Sequence, residues 1–418
     1  MATSLPHADA FVQRHIGPRQ ADVDTMLAAL GFADLEAMLD AVLPAAIRTH
    51  RPLAVPAPAS EHGSLTELAA MAARNRVLRV FYGQGYHGTL TPPVLRRNIL
   101  ENPGWYTQYT PYQAEISQGR LEMLLNYQTL VAGLTGLPVA NASLLDEATA
   151  AAEAMAMMMR LRPAKSKGDR LLVDQGLHPQ TLAVIVTRAA GVGVALQICA
   201  PETWSVGPDD GVFGAIIANP TTTGALVDIA PYAERLHTAG ALLTVVTDPL
   251  ALVLLRAPGE QGADIVVGSM QRFGVPMGFG GPHAAFLGCA DAHKRQMPGR
   301  VIGMSLDAQG KPALRMALQT REQHIRRAKA TSNICTAQVL LANVAAAYAM
   351  YHGPEGLTAI AGRTRALAVA FREALRAAGH RVADGAIFDT VQVWPARSDA
   401  QSVVGEALRR GLLLRDFA

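Results

Sequence analysis

Ala263-Asp264-Ile265-Val266-Val267-Gly268-Ser269-Met270-Gln271-Arg272-Phe273, followed by Gly278-Phe279-Gly280-Gly281-Pro282-His283, is the stretch on which the fold turns. Ile265 to Val267 is a short apolar, β-branched run bounded by turn formers, which is how a strand buried on both faces reads. The chain then makes a short turn at Ser269 to Phe273 and enters a glycine-rich loop at once. Gln271 sits in that turn. Its amide donates and accepts hydrogen bonds, but it has no nucleophilic amine.

Outward from this point, strands and helices alternate. Strands are expected at Arg170 to Val173, Val194 to Ile198, Gly214 to Ala218, Leu242 to Val246 and Ala284 to Leu287, with helices at His178 to Ala189 and Ile229 to Thr238. That alternation predicts an α/β fold with a mostly parallel sheet wrapped by helices. Upstream, Asp22 to Leu30 has helical apolar spacing, Gly31 is a stop signal and Asp34 a second start. A helix is expected at Leu65 to Asn75, and a Gly-, Pro- and Tyr-rich ordered loop from Tyr82 to Tyr112. Downstream, Thr336 to Tyr351 and Gly356 to Ala378 read as long helices, His380 to Trp394 as a hairpin, Ala400 to Arg410 as a helix and Leu412 to Arg415 as a strand. The division expected is a helical segment over 1–60, a large α/β domain over 61–335, and linking helices with a partial small α+β domain over 336–418. A small domain that stops on a strand looks incomplete, so the chain reads as a fragment or as one part of a larger polypeptide.

Composition narrows the function classes. With 418 residues, half of them apolar, 17% charged and a formal net charge of +3, the chain has material for a large core and no nucleic-acid footprint. Arg315 to Lys329 mixes charges and reads as a solvated or interface segment. The cysteines, Cys199, Cys289 and Cys335, are widely spaced and read as reduced, buried thiols. No apolar stretch reaches the ~18 residues of a membrane span, and no signal or transit pattern opens the chain, so cytoplasm is the default compartment. No histidine pair has metal-site spacing next to a carboxylate.

In α/β enzymes that use pyridoxal phosphate, a turn like Ser269 to Phe273 carries the lysine that holds the cofactor as a Schiff base. Gln271 cannot form that imine, and none of the five lysines lies between Lys167 and Lys294. Three other features stand where such a site is assembled. Ser143, Asp146, Glu147 and Thr149 lie at the mouth of a helix, where N–H groups and the dipole cradle a phosphate. Plain N-capping accounts for the same residues, and two acids argue against an anion. Asp248, after a strand, is placed to pair with a pyridinium nitrogen or to cap the next turn. Gly278 to His283 allows close backbone approach. Thr149, Asp248 and His283 are therefore the candidate cofactor-binding residues. The loop Trp105-Tyr106-Thr107-Gln108-Tyr109-Thr110-Pro111-Tyr112-Gln113-Ala114-Glu115 offers phenols and amides that orient a carboxylate or cover a ring, or that are satisfied internally.

Several long runs carry a resemblance: RHIGP at Arg14, YHGTLTPPV at Tyr86, NPGWYTQYTPYQAEISQGRLE at Asn102, NASLLDEATAAAEAM at Asn141, VVGSMQRFGVPMGFGGPHAAF at Val266 and LQTREQHIRRAKATSNICTAQ at Leu318. They resemble the N-terminal half of the glycine cleavage system P-protein family. The resemblance implies a fold-type I pyridoxal-phosphate transferase-like architecture built from two homologous halves, fused or as separate subunits. It implies decarboxylation of glycine, with the aminomethyl group passing to the lipoyl arm of H-protein. It also places the cofactor lysine outside this chain, in the C-terminal half or beta-type subunit, where a His-Lys pair replaces Met270-Gln271. The active site then lies where the halves meet. Tyr109 is expected to reach the partner's cofactor or glycine, with Tyr112 and Glu115 beside it as further catalytic candidates. The partners implied are the lysine-bearing half and lipoylated H-protein, in an oligomer. A scaffold half that takes no part in chemistry, and an independent pyridoxal enzyme using Lys294, are the competing readings.

Overall fold

The computed structural model describes residues 15, 17–106, 111, 113–162, 168–331, 334 and 338–417. Two units divide the chain at Val77 and Leu78. The first holds α1 (Gln20–Leu30), α2 (Leu35–Val42) and α3 (Glu61–Ala72). The predicted signals work as chemistry: Gly31 closes α1 in the left-handed conformation at φ 80, and the Asp34 carboxylate accepts from the Ala37 N–H at 2.8 Å to start α2. The third helix starts at Glu61, earlier than Leu65, because Ser60 caps it. Among these three helices only Leu27 is buried. Leu30, Ile47, Leu53 and Val55 are 63%, 71%, 82% and 70% exposed.

The second unit opens with the short strand β1 (Arg79–Val80), and helix α4 (Gln118–Thr135) follows. The central sheet then assembles from β2 (Val139–Ala140), β3 (Arg170–Asp174), β4 (Ala195–Cys199), β5 (Val212–Ala218), β6 (Leu242–Thr247), β7 (Ile265–Ser269) and β8 (Ala285–Cys289). Their order across the sheet is β2-β8-β7-β6-β5-β3-β4. Strands β7, β6, β5, β3 and β4 are parallel, while β8 runs antiparallel to both of its neighbours. Successive side chains face opposite ways, so Leu171 and Val173 join one apolar layer and Leu172 the other. The first layer packs under α5 (Glu147–Leu161) and α6 (Pro179–Val192), the second under α4, α7 (Ala230–Thr238) and the first turns of α8 (Val339–Ala377). Gly268 in β7 allows this packing: a Cβ there would lie 2.1 Å from the Thr247 carbonyl oxygen.

The two long downstream helices form one run broken at Gly353 (φ 63) and Pro354. The predicted hairpin is β11 (Arg381–Val382) with β12 (Val393–Trp394), followed by α9 (Ala400–Arg409) and β13 (Leu412–Leu413), which pairs parallel with β1. One hairpin escapes the sequence reading: β9 (Val301–Leu306) pairs antiparallel with β10 (Pro312–Ala317). The solvated reading of Arg315 to Lys329 is also corrected in part. Arg321 is buried and donates to the main-chain carbonyls of Met297 and Gly299, which satisfies a charge that burial alone would penalise. Among the described residues no helix is long and apolar enough to cross a membrane.

Candidate functional site

Four of the parallel strands, β3, β5, β6 and β7, deliver a polar group at or just past their carboxyl ends, the place where open α/β sheets bind ligands. Asp174 closes β3 and accepts from the N–H groups of Gly176 (2.6 Å) and Ala218 (3.1 Å). Asn219 follows β5 and accepts from Val227 N–H at 3.0 Å, while the Thr247 hydroxyl at the end of β6 donates to the Asn219 carbonyl at 2.6 Å. Ser269 ends β7 and caps the turn that carries Gln271.

Gln271 is fully buried. Its Nε2 donates to the carbonyls of His87 (2.8 Å) and Val275 (2.7 Å), and its Oε1 accepts from the His87 N–H at 3.1 Å. Both amide protons and the amide oxygen are in use. The neighbouring side chain, Arg272, forms ion pairs with Asp248 (2.7 Å) and with Asp389, the latter shorter. The other Asp248 oxygen accepts from Leu250 N–H at 2.8 Å, so the aspartate does cap the next turn. Burial raises the Asp248 pKa against the pull of Arg272. For Asp389 burial also pulls upward, but Arg272, His87 and the Thr390 hydroxyl outweigh it and hold the carboxyl below the usual range. Burial, with help from Arg272, pushes the His87 pKa down to about 3, leaving a neutral imidazole at pH 7.

At the mouth of α5, Asp146 accepts from the Thr149 N–H at 2.7 Å, and the Thr149 hydroxyl turns back onto Asp146 at 2.8 Å. This is a capping box, with Asp146 as the N-cap and Thr149 at N3. Glu147 accepts from the Thr181 hydroxyl at 3.0 Å, and burial raises its pKa. His283 leads into β8; its ring tilts against Tyr86 with centroids 5.4 Å apart, and among the described residues its Nε2 has no hydrogen-bond partner. Burial lowers its pKa. The glycines before it serve conformation: Gly278, Gly280 and Gly281 all have positive φ, and the loop they form is solvent-exposed.

The structure thus brings Asp248, Thr149 and His283 to one edge of the sheet. Tyr109 and Tyr112 lie outside the described residues. Glu115 is exposed on a short turn, Ala114–Ile116, beside a cleft of about 570 Å³ lined by Trp105, Ser117, Arg120, Glu122 and Asn126. Lys294 follows β8 at the opposite edge, where Cys289 pairs with Ile265 at the start of β7, and its ammonium is held by Asp291 at 2.8 Å. Cys289 is buried, which pushes its thiol up to about 12, and Cys335 lies outside the described residues. Sequence reasoning missed His87, Arg272 and Asp389. Arg272 sits beside Gln271 and had a local signal, a charge inside an apolar strand-turn; Asp389 is 117 residues away from it and had none.

The arrangement does not fit a pyridoxal phosphate bound in this chain's own pocket. There is no imine former at 271, both Asp248 oxygens already hold donors, and the α5 mouth carries its own carboxylate. The sheet order, the strand-end turn and the helix entering beside it nonetheless define the fold-type I architecture of pyridoxal-phosphate enzymes. The model of the glycine cleavage system P-protein family matches residues 13–418, and the chain belongs to that family. It is 56% identical to a glycine dehydrogenase (decarboxylating) of Stenotrophomonas maltophilia over 98% of its own length, which is 42% of that relative. A crystal structure of glycine decarboxylase (P-protein) of the glycine cleavage system, in inhibitor-bound form, superposes with TM-score 0.84 at 37% identity, covering 96% of this chain and 91% of that one. Lactobacillus brevis glutamate decarboxylase, at 10% identity and TM-score 0.61 over 88% of this chain and 87% of that one, shares the fold alone. The chain therefore spans about 42% of the length of the curated relative.

Proposed function

We propose that this chain is the half of glycine decarboxylase that lacks the cofactor lysine, and that it completes an active site with the lysine-bearing half or subunit. The observation that carries this reading is Gln271, buried at the strand-end turn with its amide fully hydrogen-bonded inside the chain. The reaction of the assembled protein is decarboxylation of glycine, with the aminomethyl group transferred to lipoylated H-protein in an oligomeric complex. Pyridoxal phosphate, held by the partner's lysine, supplies the electron sink. This chain's contribution is the loop carrying Tyr109 and Tyr112, with Glu115 at its base, which orients the substrate and excludes water at the shared edge. Thr149 and Asp248 have taken structural work within the chain, whereas the His283 Nε2 is left without a partner among the described residues. The apolar residues exposed along 26–77 support a covering partner, because large apolar side chains left in water mark association surfaces.

Mixing the chain with the lysine-bearing half and lipoylated H-protein is expected to give glycine-dependent exchange of carbon dioxide, with none from the chain alone. Full exchange by the chain alone overturns the reading. The self-satisfied strand-end site also favours a second reading, a scaffold half that binds partners without touching chemistry. Tyr109→Phe in the assembled enzyme separates the two: a fall in kcat supports the catalytic loop, and unchanged kinetics support the scaffold.

A further inference from the structure

The segment Tyr82 to Thr91 is held from two sides. On the β7 side, Gln271 bonds the His87 main chain in both directions, the Thr89 hydroxyl donates to the Val275 carbonyl at 2.8 Å, and the Thr91 hydroxyl donates to the Gly274 carbonyl at 2.6 Å. On the other side, Gln84 Nε2 donates to the hydroxyl of Thr222, which follows β5, at 3.2 Å, and Gln180 Nε2 on α6 donates to the Gln84 carbonyl at 2.8 Å. Strands β5 and β7 flank β6 in the sheet, so the segment crosses the carboxyl end of β6, above Asp248. Tyr86, midway along it, leans on His283. We propose that residues 82–91 are a built-in plug occupying the space a pyridoxal cofactor takes in a fold-type I site, and that Gln271 is the positioning residue that seats it.

The side chain chemistry at 271 is selective. A primary amide has two donors and an acceptor, and here they meet two carbonyls and one N–H. Lysine donates to the carbonyls but leaves the His87 N–H without an acceptor. Glutamate accepts that N–H but sets its charge against two carbonyl oxygens. The inference rests on reading position 271 as the lost lysine site. It does not rest on glycine chemistry, so its test uses no turnover and stands apart from the exchange assay.

The test uses the full chain with Gln271→Lys and Gln271→Ala. Amide hydrogen exchange over residues 82–91 is expected to rise by about tenfold or more in both variants, the scale of one lost buried hydrogen bond, while β5 to β7 stay protected. Pyridoxal phosphate added to Gln271→Lys and reduced with borohydride is expected to leave no adduct at position 271 by peptide mass. An adduct there overturns the plug, and unchanged exchange over 82–91 overturns Gln271 as its seat. Gln84→Ala, at the far end of the segment, serves if the position 271 variants do not fold: selective loosening of 82–91 supports the plug, and unchanged protection overturns it.

Discussion

Arg272 is a buried cation between two carboxylates, and the balance of that cluster sets how the fold responds to mutation and to acid. Removing one partner of a buried ion pair leaves an uncompensated charge, so Arg272→Met is expected to cost about 3–5 kcal/mol in urea unfolding at pH 7. The double variant Arg272→Met, Asp389→Asn is expected to recover part of that loss, because it removes one orphaned charge as well. The pH response follows from His87 and Asp389. With the folded His87 pKa near 3, the unfolded chain takes up a proton below its ordinary value of 6.5 while the folded chain does not, so stability falls as pH drops between those values. Asp389 is depressed on folding, so its contribution is present above 3.8 and lost as pH falls through its lower folded pKa. Asp248, raised on folding, works the other way: its cost is absent well below 3.8 and grows as pH rises through its folded pKa. His87→Gln keeps the main-chain bonds to Gln271 and is expected to flatten the stability slope between pH 6.5 and 3 by up to about 1.4 kcal/mol per pH unit, read from denaturant midpoints across pH.

Among the elements, β7 is where sequence and packing agree most closely. Gly268→Ala is expected to destabilise by about 1–3 kcal/mol or more, since its Cβ would meet both the Thr247 carbonyl and the Phe286 ring; thermal unfolding followed by circular dichroism measures it. Asp146→Ala removes the α5 cap and is expected to cost about 1 kcal/mol. Most of the parallel strands were legible because they are short, largely apolar runs set between helical stretches, and the first helices because Gly31 and Asp34 carry local stop and start chemistry. The β9–β10 hairpin was missed because its strands alternate weakly, although its turn carries a local signal: Asp307 accepts from the N–H groups of Gln309 (2.8 Å) and Lys311 (2.9 Å), and Gly310 takes φ 78. The site divides the same way. Asp248 and Gln271 are fixed by a strand end and could be read. His87, which holds the Gln271 amide, and Asp389, which shares Arg272 with Asp248, come from segments far along the chain, and only folding brings those groups together.

For the whole molecule, the exposed apolar side chains of the first unit are a feature without an internal explanation. Under the proposed reading a partner covers them. The chain alone is then expected to enhance the fluorescence of a hydrophobic dye, to lose that signal when the lysine-bearing half is added, and to gain thermal stability with partner concentration. A dye signal unchanged by complex formation argues against that surface as the contact. The amide at position 271 has a last consequence at the level of the gene. Glutamine and lysine codons differ by a single base, so mutation offers a lysine at this position continually. The pocket withholds it: a lysine arriving there finds the His87 N–H stranded, Asp248 engaged by Arg272 and the space above β6 filled by the chain's own backbone. Under the proposed reading, return to a cofactor-bearing half requires several coordinated changes, and the division of labour between two halves acts as a ratchet.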